Sequence, residues 1–140
     1  MSVYVDSSVL LRVILGEAGR LRSWGRIDHV VSSELIRLES LRTIDRARLR
    51  LGLDDEDLAL RRSAVLDAID SFDLVPVTTG VLERAAEPFP TMIGSLDAIH
   101  LASALLVRTE FEPLSFATHD RELGLAARSV GFEVIGRGKS

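Results

Sequence analysis

A chain of 140 residues, 46% hydrophobic and 27% charged, is long enough to bury one core and too apolar to be disordered. It contains no cysteine, which excludes disulfides, thiolate metal sites and cysteine nucleophiles and fits a cytoplasmic setting. A net charge of −4 argues against holding nucleic acid by bulk positive charge. Every basic residue except Lys139 is an arginine, however, and the five from Arg37 to Arg50 form a local stripe able to meet phosphate or an acidic partner.

The opening MSVYVDSSVLL lacks a basic leader and reaches Asp6 early, so neither a signal peptide nor a membrane anchor is expected. No apolar run approaches the roughly 20 residues that span a bilayer. Val3 to Val5 reads as a strand, followed by a helix from about Ser8 to Leu15 that Gly16 can stop. Val30 and Val31 form a weak second strand. Ser32 or Ser33 can cap a long helix ending at Leu51, with Gly52 just past its end. A third helix starts in the acidic cluster Asp54 to Asp57, which suits the positive end of a helix dipole, and carries Leu58, Val65, Ile69 and Phe72 at helical spacing.

Leu74 to Val77 reads as a strand despite Pro76, and Thr79 to about Glu87 as a short helix closed by Pro88 and Pro90. Leu96 to Val107 is apolar on nearly every side and predicts a buried helix. Leu114 to Ala117 is a strand, Arg121 to Val130 a helix before Gly131, and Glu133 to Ile135 a last short strand. No repeat or linker divides the chain, so one domain over 1–140 is expected. Strands alternating with helices predict an α/β fold, three layers α/β/α around a central, mainly parallel sheet.

Ligands of such sheets bind at the carboxyl ends of the strands, where Asp6 and Asp120 both lie in sequence. Either could simply cap the following helix. Asp97 opens the apolar helix, with Ser95 as a possible cap. A charge there is costly unless something cationic meets it, and His100 lies one turn along. A lone histidine of this kind is more often a satisfied core residue than a ligand. Glu39 lies on a stripe with Leu35, Arg42 and Arg46, where an ordinary surface pair with Arg42 is the plain reading. Periodicity alone does not choose Glu39 over Glu34.

Four stretches stand in order over nearly the whole chain: Val3–Leu10, with Asp6 and its hydroxyl pair; Ser32–Arg42, with Glu39; Asp97–Ala104; and Ala117–Leu123, with Ala126, Ala127 and Gly131 behind it. Together they resemble the PIN-domain ribonucleases and most closely the VapC-type toxins, whose second acid falls on Glu39. His119 before the last aspartate departs from the pattern. A further late acid of some relatives has no counterpart unless Glu122 fills it. The resemblance implies hydrolysis of RNA by water, with Asp6, Glu39, Asp97 and Asp120 as the catalytic carboxylates. Two unit charges about 5 Å apart repel by roughly 3 kcal/mol at an effective dielectric near 20. A divalent cation removes that penalty, and oxygen donors suit Mg²⁺ or Mn²⁺ rather than zinc.

Asp6, Asp97 and Asp120 are the expected metal ligands, and Ser8 and Thr118 the hydroxyls that orient carboxylates. The resemblance also implies a cognate antitoxin and a homodimer, with no membrane. No G-x-S-x-G, P-loop or G-x-G-x-x-G occurs. Receiver domains and haloacid-dehalogenase-type phosphatases need a lysine for the phosphoryl group, which disfavours them here. A PIN-like scaffold without activity is the remaining alternative.

Overall fold

A computed structural model describes residues 1–137; Lys139 lies outside them. Five strands alternate with six α-helices: β1 (Ser2–Val5), α1 (Ser7–Ile14), β2 (His29–Ser33), α2 (Leu35–Arg50), α3 (Asp55–Asp70), β3 (Asp73–Val75), α4 (Thr79–Ala86), α5 (Ser95–Val107), β4 (Leu114–Ala117), α6 (Arg121–Ser129) and β5 (Val134–Ile135). The strand order is β3-β2-β1-β4-β5, and every pairing is parallel. The expected mainly parallel sheet is thus wholly parallel.

Alternation along β1 sorts the two cores. Val3 and Val5 pack with residues of α1, α2 and α3, whereas Tyr4 packs with α4, α5 and α6 on the other face. The sheet is therefore the middle of three layers. The chain builds β1, β2 and β3 outward on one side of β1, then returns to place β4 on the other. The order in which strands are added reverses between β1 and β4, and such a switch point leaves a crevice at their carboxyl ends.

Several boundaries differ from the sequence reading for physical reasons. The second strand runs from His29 to Ser33, because the buried Ser32 and Ser33 satisfy their hydroxyls: Ser32 donates to the Val5 carbonyl at 2.7 Å and Ser33 accepts from the Leu35 amide at 3.1 Å. Glu34 intervenes as the N-cap position of α2, so neither serine occupies it. Gly52, at φ +65°, does follow the helix end. The third strand stops at Val75; Pro76 has no N–H to give the ladder. Ser95 is the first residue of α5 rather than its cap, which is Gly94. That helix buries His100 and Ser103 with its apolar face but leaves Leu96 and Leu106 exposed.

Candidate active site

Asp6 leaves the end of β1 as the N-cap of α1, its side chain accepting from the Val9 amide at 3.3 Å. The same carboxylate takes the Ser8 hydroxyl on Oδ1 at 2.6 Å and the Thr118 hydroxyl on Oδ2 at 2.5 Å. Only 5% of the residue is exposed. Burial pushes its carboxyl up, against the two hydroxyls and His100, which pull it down. Capping and site membership are not alternatives here, since one group of oxygens does both.

Across the crevice, Asp120 follows β4 and caps α6, accepting from the Leu123 amide at 2.9 Å, and is exposed. Thr118 ties the two strand ends together. Its hydroxyl donates to Asp6 and accepts from the Asp120 amide at 3.0 Å. Ser8 likewise accepts from the His119 amide at 3.0 Å while donating to Asp6. His119 itself turns away, donating Nδ1–H to the Gly136 carbonyl at 2.7 Å.

Asp97 stands in the first turn of α5, half-buried and without a hydrogen-bond partner among the described residues. Its carboxyl is pushed up to about 6, by burial first and then by the charges of Asp120, Asp6 and Glu39, with His100 pulling the other way. All four acids therefore share one electrostatic neighbourhood. Glu122 stands exposed in the first turn of α6.

Glu39 does not pair with Arg42, which turns instead to Asp45 at 3.8 Å. Its Oε1 meets Nε2 of His100 at 2.6 Å, and Nδ1 of His100 meets the Tyr4 hydroxyl at 2.7 Å. Glu34 is a different kind of residue. It faces outward and accepts the Val77 amide at 2.8 Å, tying the β2–α2 junction to the segment after β3. Tyr4 and the His100–Glu39 contact escaped the sequence reading. The signal available was a tyrosine between two valines, whose buried hydroxyl must find a partner.

Hard oxygen donors and uncompensated negative charge fit a divalent cation such as Mg²⁺ or Mn²⁺. The acids are not a preassembled cage: among the described residues no three acidic or histidine side chains are grouped closely enough to hold a metal. Mutual repulsion favours that looser arrangement, as does the prior engagement of Asp6 by two hydroxyls.

The chain matches the PIN domain family over residues 3–128. Ribonuclease VapC47 of Mycobacterium tuberculosis (strain CDC 1551 / Oshkosh) is 31% identical to it over 137 residues, 93% of each chain. Ribonuclease VapC46 of Mycobacterium tuberculosis (strain ATCC 25618 / H37Rv) is 33% identical over 137 residues, 96% of each chain. Among solved structures, a toxin–antitoxin complex from Klebsiella pneumoniae has a TM-score of 0.64 at 14% identity, over 95% of both chains. A protein of Pyrobaculum aerophilum has a TM-score of 0.58 at 20% identity, covering 96% of this chain and 89% of the other. At those identities the two structures speak for the fold alone.

Proposed function

Since the chain belongs to the PIN-domain family, in its VapC-type branch, we propose that it is a metal-dependent endoribonuclease working through Asp6, Glu39, Asp97 and Asp120. The observation that carries this reading is the joining of Asp6 and Asp120 through the Thr118 hydroxyl at the strand ends, with Asp97 near enough for their charges to push its carboxyl up. Acids gathered at a strand-end crevice, with His100 at Glu39 as the basic group beside them, suit a site that takes up a cation together with a phosphodiester.

Asp6, Asp97 and Asp120 would hold Mg²⁺ or Mn²⁺. The bound ion would supply a water of lowered pKa and neutralise charge on the leaving oxygen. The rest is the chain's own work. Ser8 and Thr118 donate both their hydroxyl hydrogens to Asp6, so its carboxylate keeps one orientation. Thr118 also accepts from the backbone of Asp120, so its hydroxyl joins the two strand ends. Glu39 approaches from the opposite helical layer, where it can orient the attacking water.

The test is cleavage of a looped RNA by purified protein. Activity is expected with Mg²⁺ or Mn²⁺, to vanish in chelator and to return with excess cation, and to fall by orders of magnitude in Asp97→Asn. Undiminished cleavage in chelator would overturn the reading.

Membership of the VapC-type branch also supports a cellular role as the toxin of a toxin–antitoxin pair, acting on cytoplasmic RNA. An arginine of a cognate antitoxin could satisfy several of the crevice carboxylates at once. Expression of the chain alone should then arrest bacterial growth, Asp6→Asn should not, and co-expression of a cognate antitoxin should restore growth. We propose a homodimer as the working form.

A further inference from the structure

We propose that His100 is a positioning residue, locked by Tyr4, that holds the Glu39 carboxylate at the acid cluster; this rests on the reading of Glu39 as part of the site.

Glu39 needs such a tether. It belongs to α2, in the layer opposite α5, and its flexible side chain faces acids that repel it. Arg42, one turn along the same helix, offers a more comfortable partner in solvent. Yet Arg42 is turned to Asp45, and Glu39 remains 16% exposed with Oε1 at 2.6 Å from His100. The imidazole holding it is 1% exposed.

The hydrogens are accounted for. A carboxylate can only accept, so Nε2 carries the hydrogen given to Glu39, and in the neutral imidazole Nδ1 is left to accept from the Tyr4 hydroxyl. The hydroxyls of Ser32 and Ser103 beside Tyr4 donate to the Val5 and Ile99 carbonyls, each at 2.7 Å, and so do not compete as donors for Nδ1. Tyr4 is fully buried, with its ring stacked on Phe116 at 5.1 Å between centroids and the His100 ring edge-on at 5.8 Å. Burial keeps the Tyr4 hydroxyl protonated by pushing its pKa well up. A rigid core side chain thus sets the tautomer of His100, and the tautomer aims one N–H at one carboxylate oxygen. A histidine merely satisfied in the core has no need of a partner in another layer at the edge of a crevice.

The experiment is a double-mutant cycle on RNA cleavage by the full chain with Mg²⁺. His100→Ala should lower kcat by about 10- to 100-fold, with KM near wild type. His100→Gln places an amide N–H near the Nε2–H position and should restore much of the loss. Tyr4→Phe keeps the ring packing and removes only the lock, so it should lower kcat by a smaller factor and decides the matter if His100→Ala does not fold. In a Glu39→Gln background His100→Ala should cost nothing further, because its effect runs through Glu39. A second readout is the nitrogen NMR spectrum of the metal-free protein. His100 should appear as the single Nε2–H tautomer, becoming a mixture in Tyr4→Phe. An undiminished cost of His100→Ala in the Glu39→Gln background, or an Nδ1–H tautomer in the wild type, would overturn the proposal. Wild-type kcat in Tyr4→Phe and His100→Ala with Glu39→Gln impaired would defeat this inference alone. Wild-type kcat in Glu39→Gln would defeat the reading beneath it.

Discussion

A carboxylate beside other carboxylates is easier to protonate, and the consequence for Asp97 can be measured. Its folded pKa of about 6 lies above the ordinary 3.8. Between those values the folded chain holds a proton that the unfolded chain has lost, so stability falls as pH rises through the window and is restored as pH is lowered. Asp97→Asn removes the charge and keeps the size. In metal-free protein it should be more stable than wild type near neutral pH, with the gap closing as pH falls from about 6 towards 4. Urea melts across that range check it, and a gap independent of pH would count against the shared acid cluster. Glu34→Gln is the matching control. Its amide oxygen can still accept the Val77 N–H, so cleavage and stability should stay at wild-type levels. The two glutamates look alike by periodicity; what separates them is His100, 61 positions beyond Glu39.

At the level of elements, the short β5 has more to do with the crevice than its length suggests. Gly136, just after it, sits at φ +92°, and a Cβ there would stand 2.9 Å from the Thr118 carbonyl oxygen. Thr118 is the residue whose hydroxyl joins Asp6 to the Asp120 amide. Gly136→Ala should therefore destabilise the fold by roughly 1–2 kcal/mol through left-handed strain and the close contact, and lower cleavage as Thr118 shifts. Denaturant titration and the RNA assay check both parts, and a fully stable, fully active variant would refute the coupling. The helices of this fold were easier to read than such joints. The end of α2 before Gly52 and the acidic start of α3 follow from local capping chemistry alone. The second strand was read short because serine and histidine are weak strand formers, and only the partners of Ser32 and Ser33 make their burial tolerable.

For the molecule as a whole, no helix among the described residues is long and apolar enough to cross a membrane. Its surface nonetheless keeps Leu82 on α4, Leu96 and Leu106 on α5, and Met92 between them in solvent. Exposed side chains of this size on elements that pack together suit association with a second copy. Light scattering at micromolar concentration should give a dimer, and Leu106→Asp should shift it towards monomer while leaving the crevice chemistry intact. A wild-type monomer would reject the proposal.

The sequence by itself determined the layer architecture, because strands and helices announce themselves by periodicity and by local caps. It also pointed to Asp6, Asp97 and Asp120, because an acid directly after a buried strand, or opening an apolar helix, is conspicuous within a few residues of chain. What only the tertiary structure decided was how those acids are held. The Thr118 bridge between Asp6 and Asp120 and the line from Tyr4 through His100 to Glu39 join residues up to 112 positions apart. Hydrogen bonds of that kind depend on which strand end faces which helix and on where a hydroxyl points. No local periodicity carries that information, since it comes into being only when the sheet closes and the two helical layers pack against it.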